Sequence, residues 1–212
     1  ATAHAAAERA ASPSTQQGAA PARLRALPAI ASPVLQRYPV PGGLACHEIV
    51  DWLASNSPYR PEWAETACTI STNGSVNTSY STQPDGTVRL RARGHRGITA
   101  DVDCPVDRPE WDPTPRANRA GEVAAFARMR RSLDAHERQH QATGRTWRST
   151  IERRYRAIDF TVSGSNVADA QTQATVGVQE REATWRQEAQ SAQSAIDPFS
   201  GAVLDCPQGT TP

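Results

Sequence analysis

No apolar stretch in this 212-residue chain approaches the roughly 18 residues a helix needs to cross a bilayer, so a transmembrane helix is not expected. An excess of one charge is lacking too: Lys plus Arg number 23 against 22 Asp plus Glu, a net charge of +1. That balance argues against a nucleic-acid binder and against a polybasic membrane-surface protein. The four cysteines, Cys46, Cys68, Cys104 and Cys206, include no C-x-x-C pair, which argues against a cysteine zinc site or a thioredoxin-like redox motif. Two disulfides are their expected use, in any of three connectivities, and that use favours an oxidising compartment, secreted or periplasmic. The sequence starts at Ala1 with neither an initiator Met nor an apolar signal core, as a mature chain would after removal of an export signal. Lysine is absent beside abundant Arg and Ala, a usage associated with GC-rich bacterial genomes.

Large apolar side chains are nearly missing from residues 1 to 36, which are rich in Ala, Pro, Ser, Gln and Arg. Such a segment cannot offset the entropy of ordering and reads as a disordered leader or linker. The length fits one domain, expected over residues 37–200, followed by a tail, 201–212. In that tail only a disulfide from Cys206 would hold the chain in place.

After a turn at Pro39-Val40-Pro41-Gly42-Gly43, Leu44, Ile49, Val50, Trp52 and Leu53 recur at helical spacing, predicting a short helix over 44–55. From Ala67 to Cys104 the pattern becomes β-branched and alternating, with strands predicted at 69–72, 75–82, 87–92 and 98–102. Asn73-Gly74, Pro84-Asp85-Gly86 and Gly94-His95-Arg96-Gly97 mark their turns, short enough for an antiparallel meander. A long helix follows, capped by Thr114-Pro115 or by Asn118, with Val123, Phe126, Met129, Leu133, His136, His140, Trp147 and Ile151 on one face. Gly144 marks a possible bend in it. A turn over 159–166 leads to a second helix with a stripe of Ala174, Val178, Glu182, Trp185, Ala189, Ala192 and Ile196, ended by Pro198.

The first of these helices contains His136-Glu137-Arg138-Gln139-His140, an H-E-x-x-H pattern. Four-residue spacing points both imidazoles from one face, one turn apart, so both reach a single Zn²⁺. Glu137 lies one residue round, where a carboxylate takes a proton from zinc-bound water and passes it to the leaving group. A catalytic zinc commonly takes three protein ligands. No His follows His140, and the metzincin position for a third His is Thr146, so the third ligand is expected to be a carboxylate, or another side chain from upstream. Equal path lengths about a turn at 160–166 place His140 opposite residue 185, near Glu180, Glu182 and Glu188. Only Glu182 lies on the apolar stripe, so it is the expected third ligand, with Asp169 preferred if the helical hairpin were shorter. His95 and Tyr155 are lesser candidates for contacting substrate.

Laid out this way, residues 37 to 195 resemble a family of predicted secreted bacterial zinc-dependent proteases known as a domain of unknown function. The matching landmarks are Tyr38-Pro39-Val40-Pro41-Gly42-Gly43, Ser57-Pro58, the strands, Pro109-Glu110-Trp111, and the specific His136-Glu137-Arg138-Gln139-His140. Members continue to a Tyr-Asp-x-x-Thr-x-His-Gly type element, whose His this sequence lacks. The resemblance implies a zincin-like metallopeptidase acting on a peptide or protein substrate.

The fold expected is α+β, zincin-like: a small antiparallel sheet with a long C-terminal helical hairpin carrying the H-E-x-x-H pattern, and residues 87–103 as the strand edge that aligns a substrate. The function expected is zinc-dependent hydrolysis. Its rival is an exported binding or envelope-associated module with a vestigial or structural metal site.

Overall fold

A computed structural model describes residues 37–115, 119–197, 199 and 201–207. The predicted leader, the second candidate cap Asn118, Pro198 and residues 208–212 lie outside them. The chain enters through β1 (Tyr38–Val40) and α1 (Cys46–Asn56). Short strands follow: β2 (Glu65–Thr66), β3 (Thr69–Asn73), β4 (Asn77–Thr82), β5 (Val88–Arg93), β6 (Thr99–Asp103), β7 (Val106–Asp107) and β8 (Pro109–Trp111). It ends in α2 (Ala120–Arg156), β9 (Asp159–Gly164) and α3 (Val167–Ser194). The class is α+β, with small antiparallel sheets, one short parallel pair (β1 with β8) and a C-terminal helical region. No described helix is long and apolar enough to cross a membrane.

The four predicted strands are present, but they do not form a meander. Thr69 faces Asp103 and Asn73 faces Thr99 in one ladder, while Asn77 faces Arg93 and Thr82 faces Val88 in the next. These ladders are successive stretches of one long hairpin. Only Pro84-Asp85-Gly86 reverses the chain, with Gly86 at φ +86° and the Gln83 N–H donating to the Thr87 carbonyl at 2.7 Å. The other two turn signals lie opposite each other between the ladders and bend the ribbon. Gly94 marks the bend: a Cβ there would stand 2.0 Å from the Tyr155 carbonyl oxygen, and its N–H donates to Ile158 O at 2.7 Å.

The helix α2 runs unbroken through Gly144 for 37 residues. The glycine is explained by packing, because the Cys68–Cys104 disulfide lies against the helix at that point. A Cβ on Gly144 would sit 2.6 and 2.7 Å from the Cys104 and Cys68 sulfurs. Gly144→Ala is therefore expected to destabilise the fold by about 1–3 kcal/mol through overpacking, outweighing the ~1 kcal/mol that Ala brings to an exposed helix. An unchanged or higher urea midpoint would show that the disulfide yields instead. At its N-terminus α2 has no side-chain cap, Arg119 occupying that position in place of the expected Thr114-Pro115. The buried Arg119 guanidinium bonds the carbonyls of Gly42, Leu44 and Thr114 and pairs with buried Glu122 at 3.1 Å.

The segment predicted as a turn is the strand β9, which pairs with β5 from Asp159 opposite Arg93 to Gly164 opposite Val88. Asn166 then caps α3, its side chain accepting from the Asp169 N–H at 3.0 Å.

Apolar packing is divided along α2. At its N-terminal half Phe126, Met129 and Leu133 pack with Val40, Ile49, Leu53, Trp111 and Leu204, while Val123 of the predicted face is exposed. At its C-terminal half Ile151 and Tyr155 pack with Ile70, Ala92, Ile98, Ala100 and Val178. A smaller cluster joins Val88 and Leu90 to Ala170 and Ala174. Between the two main clusters, the buried face of the helix carries His136, Glu137 and His140.

Candidate metal centre

The helical repeat continues the apolar stripe through His136 and His140, and both are buried, each at 6 % exposure. Their Nε2 atoms lie 3.1 Å apart. Gln193 of α3 holds His140 twice: its Oε1 is 2.8 Å from Nδ1, and its Nε2 donates to the His140 carbonyl at 3.2 Å. A carboxamide oxygen only accepts, so Nδ1 of His140 donates to Gln193 and Nε2 is turned into the site. Phe199 stacks on His136 with ring centroids 4.2 Å apart and a 13° interplanar angle.

Asp197, just beyond α3, supplies the third group. Its Oδ1 is 3.1 Å from His136 Nε2 and 3.3 Å from His140 Nε2. Of the His, Cys, Asp and Glu side chains described, these three form the cluster able to hold a metal ion. Atoms bound at 2.0–2.1 Å around a tetrahedral zinc stand about 3.3–3.4 Å from one another, close to the spacing here. Two imidazoles and one carboxylate are a donor set that could hold a divalent cation.

Glu137 lies beside this triad at 3 % exposure. Thr66 of β2 donates to its Oε2 at 2.7 Å, leaving Oε1 without a partner among the described residues. Burial raises the carboxyl above its ordinary range, while the Thr66 hydroxyl and the two imidazoles pull it down. All four residues line a cleft of about 380 Å³, whose other wall is the segment from Pro58 to Thr66 with Tyr59, Glu62, Trp63 and Glu65. The expected substrate edge at 87–103 is elsewhere. There β5 is paired on both sides and β6 pairs with β3, and neither strand lines the cleft.

Glu182, the expected third ligand, is placed outside the triad. It is buried, but it accepts from the Tyr155 hydroxyl at 2.5 Å and pairs with Arg186 at 2.5 Å. Arg186 also donates to the Ile70 carbonyl at 2.7 Å, so this group ties α3 to α2 and β3. The hydroxyl of Tyr155 is held well above its ordinary range by burial and by that carboxylate. The remaining α3 carboxylates lie apart from the triad as well: Glu188 pairs with Arg154 at 2.5 Å, Glu180 is exposed, and Asp169 accepts from the Ser165 N–H at the start of the helix. His95 braces its own turn, with Nδ1 accepting from the Gly97 N–H and Nε2 2.9 Å from the Ser75 carbonyl.

The displacement from residue 185 to residues 193–197 has a geometric cause. A strand advances about 3.3 Å per residue and a helix 1.5 Å, so the return over six residues of β9 takes about 13 residues of α3. Tyr155 therefore meets Glu182, and His140 meets Gln193.

Residues 35–195 match the family described as "Bacterial protein of unknown function (DUF922)". No curated protein matches the chain, and no solved structure does.

Proposed function

The chain belongs to this bacterial family of unknown function, and we propose that it is a zinc-dependent hydrolase, zincin-like in its catalytic helix, that cleaves peptide or amide bonds. The observation that carries the reading is the mutual spacing of His136 Nε2, His140 Nε2 and Asp197 Oδ1, 3.1 to 3.3 Å, beside a buried carboxylate in an open cleft. These three residues would hold the ion. A structural zinc takes four protein ligands, and the three-membered cluster among the described residues supports the catalytic kind.

Zinc bound there would supply Lewis acidity, bringing the pKa of its water toward neutrality. The chain's own residues then have defined parts. Glu137 Oε1 accepts the water proton and delivers it to the departing amine, while Thr66 holds Oε2 and so fixes the plane of the carboxylate. Gln193 keeps the His140 lone pair directed at the ion. Leu133, Trp63 and Phe199 shed water from the cleft wall. Peptide specificity rests on the family resemblance of the sequence. Export to an oxidising compartment is supported by the two disulfides, Cys46–Cys206 and Cys68–Cys104.

Zinc titration of the purified chain tests the assignment. Asp197→Ala is expected to weaken zinc binding by about 100-fold or more, beyond the 10–100-fold typical of residues that only orient a ligand. Glu182→Gln is expected to keep one zinc per chain and lose about 1–3 kcal/mol of stability from unpaired buried groups. The opposite pattern would restore Glu182 as the ligand. A wild-type chain that binds no zinc, with a thermal midpoint indifferent to chelator, would favour the exported binding module.

A further inference from the structure

All 23 Lys and Arg side chains of the sequence are arginines, and five of the nine on α2 form one exposed row. Arg128, Arg131, Arg138, Arg145 and Arg153 are all exposed, and at about 100° per residue they fall within a sector of roughly 100° around the helix. The residues between them in that sector, Ala135, Ala142, Thr146 and Ser149, are exposed and small. None of the five guanidinium groups has a hydrogen-bond or ion-pair partner among the described residues. The acids of α2 do not balance them. Glu122 and Glu137 are buried, Asp134 pairs with Arg108, and Glu152 pairs with Arg148 and Arg156. A row of uncompensated positive charge thus runs from Arg128 to Arg153, about 37 Å at 1.5 Å per residue, on a chain whose net charge is only +1.

We propose that this ridge docks a flexible linear polyanion built of phosphate units. Guanidinium groups present a planar fork that matches phosphate oxygens two at a time, which an ammonium does not. A line of such groups suits a single flexible chain. The backbone of a duplex winds away from a straight line within half a turn and would meet the ridge only at intervals. A bilayer is matched less well, because helices that lie on membranes carry large apolar side chains beside their basic ones, and here the ridge holds Ala, Thr and Ser. His136 and His140 lie on the opposite side of α2 and are buried, so a docked chain leaves the cleft open. The ridge tethers and the cleft is left free for other substrates.

Binding of long-chain inorganic polyphosphate, followed by fluorescence anisotropy between 50 and 200 mM NaCl, tests this on the full chain. Five contacts predict a slope of log K against log salt of about −3.5, at about −0.7 per phosphate on a single strand, hence about 100-fold weaker binding across that range. In the triple variant Arg131→Glu, Arg138→Glu, Arg145→Glu the slope should fall to about −1.4 or less. The neutral Arg→Gln triple variant should give the same fall with an unchanged thermal midpoint, while Arg89→Gln, on β5, should leave the slope alone. A slope unaffected by either triple variant overturns the proposal. So does tighter binding to duplex DNA, or to phosphatidylglycerol vesicles, than to polyphosphate.

Discussion

Glu137→Gln is expected to retain one zinc per chain and to lower turnover of a fluorogenic peptide library by about 10²–10⁴-fold, the range contributed by a positioned acid–base group. Glutamine is nearly isosteric, and its amide can keep the contact with Thr66, now 2.7 Å from Glu137 Oε2. What it loses is the ability to accept a proton at the unpartnered oxygen. The side chain is 3 % exposed, so no bulk water replaces the base cheaply. The proposed zinc ligands are other residues, His136, His140 and Asp197, and the variant should leave them in place. Metal content and kcat measured on one preparation separate the possibilities. Full zinc with unchanged turnover removes Glu137 from the mechanism, whereas loss of zinc shows that its carboxylate belongs to the metal shell.

A second large effect is expected at the Cys46–Cys206 disulfide, which closes a loop of 160 residues. Chain-entropy arguments give about 5 kcal/mol for a loop of that length, a large part of the 5–15 kcal/mol by which a domain is stable. In Cys46→Ala, Cys206→Ala the thermal midpoint should fall by about 10–20 °C, at 2–4 °C per kcal/mol for a chain of this size. The loss should reach the site. The bridge anchors the segment that follows α3, in which Leu204 is buried in the first core cluster and Gly201 O accepts from the Ser132 hydroxyl at 2.9 Å. That segment includes Asp197 and carries Phe199 against His136. Zinc affinity of the double variant, measured well below its midpoint, should drop toward that of Asp197→Ala. Retained wild-type affinity would mean that α3 alone positions the carboxylate. The Gly144→Ala variant probes the other bridge in the same way, through its packing on α2.

Much of the helical architecture was legible in the sequence because its period is local. The spacing of Phe126, Met129, Leu133, His136 and His140 specifies one face, and α2 buries all five. Turn chemistry was legible at Pro84-Asp85-Gly86, where the residues between the strands do the reversing. It misled at Asn73-Gly74, because a glycine with φ +111° serves a bend in a paired ribbon as well as a reversal, and only the partner strand distinguishes them. The strand β9 was read as a turn for a related reason. Its residues gain their β character by completing a sheet with β5, 66 positions away in the pairing of Arg93 with Asp159.

The sequence by itself determined the helix, the buried His136–Glu137–His140 set and the even complement of cysteines, since each depends on residues within a few positions of one another. It left the disulfide partners open and pointed to Glu182 as the third ligand. Tertiary structure decided the pairing of the cysteines and which side chains meet the histidines: six residues of strand advance about twice as far as six of helix, and that difference carries Glu182 to Tyr155 and brings Gln193 and Asp197 to His140.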